Sequence, residues 1–493
     1  MPKDTTPEGI LGRSTSGRHT NGGGVGMSEH FDLVVIGGGS AARDAAGKAA
    51  REHEARVALV EKERWGGSCP NVACTPTKAY LVAAELAHDL NELAGKLGIE
   101  TGPAVVDLAR VKARKDTLKK PQERWVTDLE AQGYATFTTE AALVDARTVR
   151  AGDHVLESER ILIATGSRTA VPPIEGIDEV GWIDHVSALE LTELPESLLV
   201  VGAGAVGLEF GQIFARFGSR VTIVDALDRI APLADAEAAA TLTAALQEEG
   251  IEIVPSVFVR GVRHDGGEIV ATLAPRDGSP EQELRVAQVL LASGRVPNVE
   301  GLNLDGVGIE ATKAGIAVDE HMRTSITGIW AAGDVNALPQ FTPVAQYQAR
   351  LAVTDMFGEE APAADYSVLP TSIFTDPELG SVGLTAEQAA EQGYEVEVVR
   401  NEFVRRFSYI DAQHGLFKIV FDRGNRRVLG LHVVSRNAGD IVQGFSLALK
   451  LGVTIEDLAA MHHVFPTFGE GIKGAAEQAV GAPEASMVMS TAR

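Results

Sequence analysis

Two glycine-rich turns constrain this chain more than any other feature, because each follows a short apolar strand and opens a helix. Phe31 to Ile36 is apolar and β-branched and runs into Gly37-Gly38-Gly39-Ser40-Ala41-Ala42 and an Ala-rich helix to about Arg51. A second strand, Val57 to Val60, then ends in Glu61. In such a turn Gly37 serves the tight bend, Gly39 lets backbone approach a diphosphate, and Ala42 allows close packing of helix on strand. The helix N-terminus presents unpaired N–H groups and a positive dipole end to that diphosphate. Glu61 stands where a ribose hydroxyl would donate. The pattern recurs: Ser197 to Val201 leads into Gly202-Ala203-Gly204-Ala205-Val206-Gly207, a helix through Phe217, and a strand Val221 to Val224 ending in Asp225. One such turn is weak evidence, whereas two with acidic strand ends predict two Rossmann-like dinucleotide-binding units in an α/β protein.

Each unit also has a closing strand. Ile161-Leu-Ile-Ala-Thr-Gly-Ser167 and Val289-Leu-Leu-Ala-Ser-Gly-Arg295 are apolar strands that end in a small residue and Gly, and Gly328 to Ala332 runs into Gly333-Asp334. Within the first unit, after Glu61 and ahead of its closing strand, lies Trp65 to Lys78, WGGSCPNVACTPTK, which holds both cysteines of the 493-residue chain, Cys69 and Cys74. Two thiols behind a Gly-Gly turn and ahead of an apolar helical run read as a working dithiol, and a structural disulfide framework is excluded. From about Ala364 the character changes to alternating strands (372–374, 416–421, 428–434) and amphipathic helices (438–450, 455–461) without a glycine turn, a separate α/β domain.

Charge and hydropathy narrow the partners. With 44 basic and 68 acidic residues the net charge is −24, and the acidic positions are scattered, so neither nucleic acid nor an anionic membrane is an expected partner. The longest apolar runs, such as Leu198 to Leu208, fall short of the ~18 residues of a spanning helix. Residues 1–26 are rich in Gly, Ser, Thr and Arg and lack the apolar region of a secretory signal. The expectation is a disordered extension over 1–29 and a cytoplasmic protein. No metal-ligand set is singled out.

The order of these elements resembles the class I pyridine nucleotide-disulfide oxidoreductases, which include lipoamide dehydrogenase, glutathione reductase and mercuric reductase. The resemblance covers about residues 31–485: glycine turn, CxxxxC, ATG strand, second glycine turn, GD motif and C-terminal interface domain, with Ser372 to Thr385 (SIFTDPELGSVGLT) close to that domain's wording. It implies an FAD-binding domain over 30–181 carrying the dithiol, an NAD(P)-binding domain over 182–296, a central domain over 297–364 and an interface domain over 365–493. It also implies a homodimer whose second subunit completes the site. Carried over residue by residue, FAD would be held by Gly37, Gly39, Ala42, Glu61, Lys62, Gly67, Ser68, Lys78, Thr165, Gly166, Asp334 and Thr342. The nicotinamide dinucleotide would be held by Gly202, Gly204, Gly207, Asp225 and Gly294. Lys78 would pair with Glu209 beside the flavin. Cys74 would face the flavin and Cys69 the acceptor, both thiols being made more acidic by the helix that begins near Cys74 and by Lys78. Asp225 accepts from a ribose 2′-OH and repels a 2′-phosphate, which favours NADH over NADPH, although Arg229 lies close by.

One position departs from the family. Its disulfide reductases carry His-Pro-Thr-x-x-Glu near the C-terminus, the His serving as acid and base for thiol exchange. This chain has Phe465-Pro466-Thr467-Phe468-Gly469-Glu470. A benzyl group carries no proton, and loss of a positioned base costs about 10² to 10⁴ in rate. Several readings stay open. His463 takes over the proton, or His462 and His463 are ordinary histidines. The mercuric reductases have Tyr at this place, but they also use a C-terminal cysteine pair that is absent here. A quinone, a metal species or an unusual disulfide would suit an apolar wall at Phe465 and Phe468.

The expected enzyme is therefore an FAD-dependent NAD(P)H oxidoreductase passing electrons through Cys69 and Cys74 to a small acceptor. The alternatives are a quinone or diaphorase-type or mercuric reductase-like enzyme whose electrons leave from the flavin, and a non-catalytic flavin-binding subunit of a larger complex.

Overall fold

The computed structural model describes residues 28–336 and 338–481. The expected disordered extension therefore lies outside the described residues up to 27. At its end Glu29 pairs with Leu156 in a short parallel ladder, so the strand begins inside the range read as extension.

The first glycine turn belongs to a five-stranded parallel sheet ordered 329–331, 161–163, 33–36, 57–61, 135–138. Leu33–Ile36 and Val57–Val60 are buried throughout, which is why both read as unbroken apolar runs: helices cover one face of the parallel sheet and the small sheet of strands 141–143, 148–151 and 154–157 covers the other. The strand expected from Phe31 starts at Leu33, with Phe31 buried just ahead of it. Helix Ser40–His53 turns Ala42, Ala45, Ala46 and Ala49 inward, and these small side chains let it lie close against helix Thr342–Met356. Residues from the far end of this unit are thereby returned to the first glycine turn.

The second turn belongs to a four-stranded parallel sheet ordered 252–254, 220–224, 197–201, 288–291. The two units are tied by a small antiparallel ribbon, Ser167–Thr169 against Arg295–Pro297, formed by the chain as it leaves the two closing strands. The C-terminal domain is a five-stranded antiparallel sheet, 371–373, 378–383, 428–435, 416–422, 396–401, backed by helix Ala438–Leu451. A buried cluster fastens this sheet to the second unit: Lys418 Nζ donates to Asp235 Oδ2 at 2.7 Å and to Glu237 Oε1 at 2.8 Å. Among the described residues no helix is long and apolar enough to cross a membrane.

Candidate active site

The cysteine segment is two helices rather than a loop and one helix. Cys69 lies in the short helix Ser68–Val72, the chain breaks at Ala73, and Cys74 opens helix Cys74–His88. Buried Asn71 holds the approach in place, donating to the carbonyls of Trp65 at 3.0 Å and Gly67 at 2.7 Å. Both cysteines are free thiols, and Cys74 Sγ is 3.8 Å from Thr342 Oγ1.

The pair ionises unequally. Cys69 is held at about 6 by the hydrogen bond from Cys74, with Thr342, Arg43 and Lys78 adding to it against burial. Cys74 is pushed up, first by its bond to Cys69, then by burial and by the charge on Cys69. The expectation that both thiols are acidified is thereby corrected: once Cys69 has lost its proton, its bond and charge, together with burial, hold the remaining proton on Cys74.

Lys78 and Glu209 meet as the resemblance implied, Nζ to Oε2 at 2.8 Å. Glu209 is buried, and its other oxygen accepts from the backbone N–H of Phe374 at 3.0 Å. Lys78 Nζ also stands 4.4 Å from the centre of the Phe374 ring. One carboxylate thus joins the dithiol helix, the helix after the second glycine turn, and the C-terminal domain.

The two glycine turns are built alike. Gly37 has φ +126°, and a Cβ there would lie 2.2 Å from the Ala164 carbonyl oxygen. Gly202 has φ +112° and would meet the Ala292 carbonyl oxygen at 2.5 Å. A Cβ on Gly207 would fall 1.8 Å from the Gly202 carbonyl oxygen, whereas the space before Gly204, Gly166 and Gly294 is open. Gly67 packs on Gly39, where a Cβ would approach its Cα to 2.6 Å. The acidic strand ends brace the turns: Glu61 accepts from Gly38 N at 2.8 Å and Glu63 N at 2.7 Å, and Asp225 from Ala203 N at 2.6 Å and Leu227 N at 2.8 Å. Such a braced turn with open backbone N–H groups suits a diphosphate, so these residues fit a dinucleotide in each unit.

A cavity of about 880 Å³ opens beside the first turn and brings together Gly37, Glu61, Lys62, Gly67, Ser68 and Thr165. Thr165 Oγ1 donates to the Asn298 carbonyl at 2.7 Å, and Asp334 Oδ2 accepts from Ser167 Oγ at 2.7 Å. Ala42 lies apart from the cavity, fully buried in the helix packing. Among the cavity-wall residues that sequence reading missed are Arg295 and His185. Arg295 Nε donates to Ser167 Oγ at 2.8 Å and stands 3.7 Å from Asp334. His185 is buried, and burial, then the charge of Arg295, pushes it down to about 4. The signal for Arg295 was its place directly after Gly294; His185 carried none.

Phe465 and Glu470 are not brought to the dithiol of their own chain. Phe465 is 72% exposed, and Glu470 Oε1 accepts from Arg405 N at 3.0 Å while Oε2 is buried without a partner among the described residues. His463 Nε2 lies 3.1 Å from the Leu458 carbonyl oxygen.

Two dinucleotide folds converging on one dithiol define an oxidoreductase of the flavoprotein disulfide type. Residues 31–349 match the family model described as pyridine nucleotide-disulphide oxidoreductase, and residues 369–476 match the dimerisation domain of that family. The chain belongs to this family, whose members depend on FAD and use a pyridine nucleotide, and the dimerisation domain supports a homodimer. It is 36% identical to a mercuric reductase of Staphylococcus aureus over 90% of this chain and 82% of that protein. A mercuric reductase of Streptomyces lividans is 37% identical over 91% and 96%. A mitochondrial dihydrolipoyl dehydrogenase of Pisum sativum is 33% identical over 91% of each. Among solved structures, the HOCl-induced flavoprotein disulfide reductase RclA of Escherichia coli superposes with a TM-score of 0.81 at 27% identity, covering 91% of this chain and 99% of that one. Its Cu(II) complex gives 0.81 at 26%.

Proposed function

We propose that this enzyme takes electrons from NADH and delivers them through Cys69 and Cys74 to a small acceptor that meets Cys69. The observation that carries the reading is the placement of the pair: Cys69 and Cys74 are free thiols on two successive helices, with Lys78 four residues after Cys74 fixed by Glu209 at 2.8 Å. The Cys69 thiol is lowered while that of Cys74 is raised, which favours thiolate attack from Cys69. Residues 30–181 with 297–364 hold FAD, 182–296 hold the nicotinamide dinucleotide, and 365–493 form the interface of a dimer whose second subunit completes the acceptor site. Bound FAD supplies two-electron exchange between reduced nicotinamide and a disulfide. The protein's part is to hold it at Gly37, Gly39, Glu61, Lys62, Gly67, Ser68, Lys78, Thr165, Gly166, Asp334 and Thr342. Lys78, fixed by Glu209, sets a positive charge at the base of the dithiol helix.

NADH is favoured over NADPH. Asp225 is anchored by two backbone N–H groups at the strand end, where a 2′-phosphate would meet its charge, and Arg229 donates to the Pro232 carbonyl at 3.1 Å. Gly202, Gly204, Gly207 and Gly294 line the same approach. A lower kcat/KM for NADH than for NADPH would overturn this.

A soft metal ion as acceptor is the second reading. It is favoured by the names of the relatives, mercuric reductases and a reductase with a Cu(II) complex, and by the affinity of thiolates for such ions. Anaerobic reduction by NADH followed by a screen of lipoamide, glutathione disulfide, quinones, Hg(II) and Cu(II) for reoxidation decides between them. Turnover of quinones alone, surviving alkylation of both thiols, would refute a dithiol exit. The proposed compartment is the cytoplasm, whose reducing poise suits a chain with no cysteines beyond this pair.

A further inference from the structure

The acidic strand end of the second nucleotide unit meets a ribbon that neither glycine turn contains. Strands Val257–Asp265, Glu268–Pro275 and Gln282–Val286 form a three-stranded antiparallel sheet, whose first strand starts against the residues that follow strand Arg220–Val224. Val257 N donates to the Asp225 carbonyl at 2.9 Å, and Ser256 N to the Leu227 carbonyl at 2.7 Å. Arg276, the first residue beyond Pro275, closes the same corner. Its backbone N–H donates to the Ser256 carbonyl at 2.9 Å and its Nη1 to the Ala226 carbonyl at 3.0 Å.

The last of these bonds fixes where the charge lies. Asp225 Oδ1 accepts from Leu227 N at 2.8 Å, and the Ala226 carbonyl and Leu227 N–H belong to one planar trans peptide. Asp225 and Arg276 are therefore bonded to the two ends of a single peptide unit, with carboxylate oxygen and guanidinium nitrogen no more than about 8 Å apart. Arg276 also has charge to spare. Of the arginines in the ribbon, Arg260, Arg263 and Arg285 are paired with Glu281 at 3.0 Å, Glu283 at 2.8 Å and Asp265 at 2.6 Å, whereas Arg276 has no carboxylate at ion-pair distance among the described residues. Asp277 beside it is spent on its own turn, accepting from Ser279 N at 2.9 Å. Arg276 is exposed, and its Cζ stands 5.9 Å from the centre of the exposed Phe258 ring, which steadies the side chain without cancelling its charge. Arg229, nearer to Asp225 in sequence, bonds instead to the Pro232 carbonyl of its own loop.

We infer that Arg276 is the specificity-determining residue that sets how far a 2′-phosphate is tolerated in the second unit. A carboxylate that rejects the phosphate and a guanidinium that accepts it stand at one corner, so the unit takes NADPH as a lesser substrate beside NADH. The inference rests on the reading of Asp225 given above. An arginine near the acidic strand end is the general means by which such a fold accommodates a 2′-phosphate. Here it comes from a separate ribbon rather than from the loop after Asp225, which is why its place is visible only in the fold. The Ala226 carbonyl takes one guanidinium N–H and leaves the remaining donors for phosphate oxygens. Leu227 and Phe258, exposed on the two segments that meet here, offer apolar surface to the adenine of either dinucleotide.

The test titrates the FAD-loaded protein calorimetrically with 5′-AMP and with 2′,5′-ADP, which differ only in the 2′-phosphate. Arg276→Met lowers the affinity for 2′,5′-ADP relative to 5′-AMP by about tenfold, the worth of one charge-assisted contact, and Arg276→Lys lowers it by much less. The difference between wild type and Arg276→Met shrinks as salt is raised, because the contact is exposed. Asp225→Ser turns the preference toward 2′,5′-ADP, and Asp225→Ser combined with Arg276→Met does not. The kcat/KM ratio of NADPH to NADH follows the same order across the variants. Equal weakening of both nucleotides by Arg276→Met makes Arg276 a mere support of the loop and overturns the inference. A fall in the ratio that appears in Arg229→Met instead overturns it too. A wild type that binds 2′,5′-ADP more tightly than 5′-AMP refutes the NADH reading, and the ratio in Arg276→Met still judges Arg276.

Discussion

Replacing Glu209 by Gln keeps the shape of the side chain and removes its charge, at the one carboxylate that joins the dithiol helix, the second nucleotide unit and the C-terminal domain. The wild-type group accepts from Lys78 at 2.8 Å and from the Phe374 N–H at 3.0 Å. A glutamine has one acceptor oxygen for these two donors, so its NH₂ must face the other. At 2.8 Å and an effective dielectric of ~20 the gross attraction of the ion pair is about 6 kcal/mol. Lys78 keeps 38% of its side chain exposed, which screens the net contribution to about 1–2 kcal/mol. The donor left opposed costs about 1–2 kcal/mol more, for a total near ~3 kcal/mol. If this contact breaks in the rate-limiting opening, heat inactivation of the holoenzyme accelerates about 100-fold. Lys78→Met in the same background removes the opposed donor, so the double variant is more stable than the sum of the singles by about 1–2 kcal/mol. Inactivation half-lives within twofold of the wild type, or strictly additive singles, would refute the view that this carboxylate clamps three elements.

Other perturbations test other joints. Lys418→Met leaves Asp235, buried at 1% exposure, without its cation, and lowers stability by about 3–5 kcal/mol. Adding Asp235→Asn restores part of that loss, read as the melting temperature. Gly67→Ala sets a Cβ 2.6 Å from Gly39 Cα at a φ of +72°, so the purified protein carries less flavin per chain, measured by absorbance ratio. The Glu237 carboxyl is held down to about 2 by its hydrogen bond to Arg400 and then by Lys418. Its folded value is below the unfolded one, so its contribution is complete above about pH 4.5 and lost as pH falls toward 2. Acid titration followed by tryptophan fluorescence should show the loosening in that window in the wild type and not in Glu237→Gln.

The two nucleotide units were legible because their chemistry forces residue types: Gly37 and Gly202 sit at φ values and carbonyl approaches that a side chain forbids, and parallel strands buried on both faces must be apolar throughout. The acidic strand ends were legible as positions, but not their bracing of the turns through Gly38 and Ala203, which depends on loop geometry. What stayed hidden joins residues distant in sequence. Lys418 meets Asp235, Glu209 meets the Phe374 amide, and Arg43 meets Trp125, and no local pattern records such pairs. The unequal ionisation was hidden for a further reason. Spacing shows that two thiols are close, but how unequally they ionise depends on each one's burial and on the groups around it, Thr342 and Lys78 among them. Phe465 was legible as a departure from the family, and its 72% exposure places it on the surface of its own chain.

The most direct test of the account is the thiol state of Cys69 and Cys74 across one turnover. Anaerobic protein first oxidised to the Cys69–Cys74 disulfide, then treated with one equivalent of NADH and iodoacetamide, should carry label on both cysteines, the oxidised protein not treated with NADH on neither, and the doubly labelled enzyme should no longer reduce its acceptor. Full acceptor turnover by the doubly labelled enzyme would contradict the account.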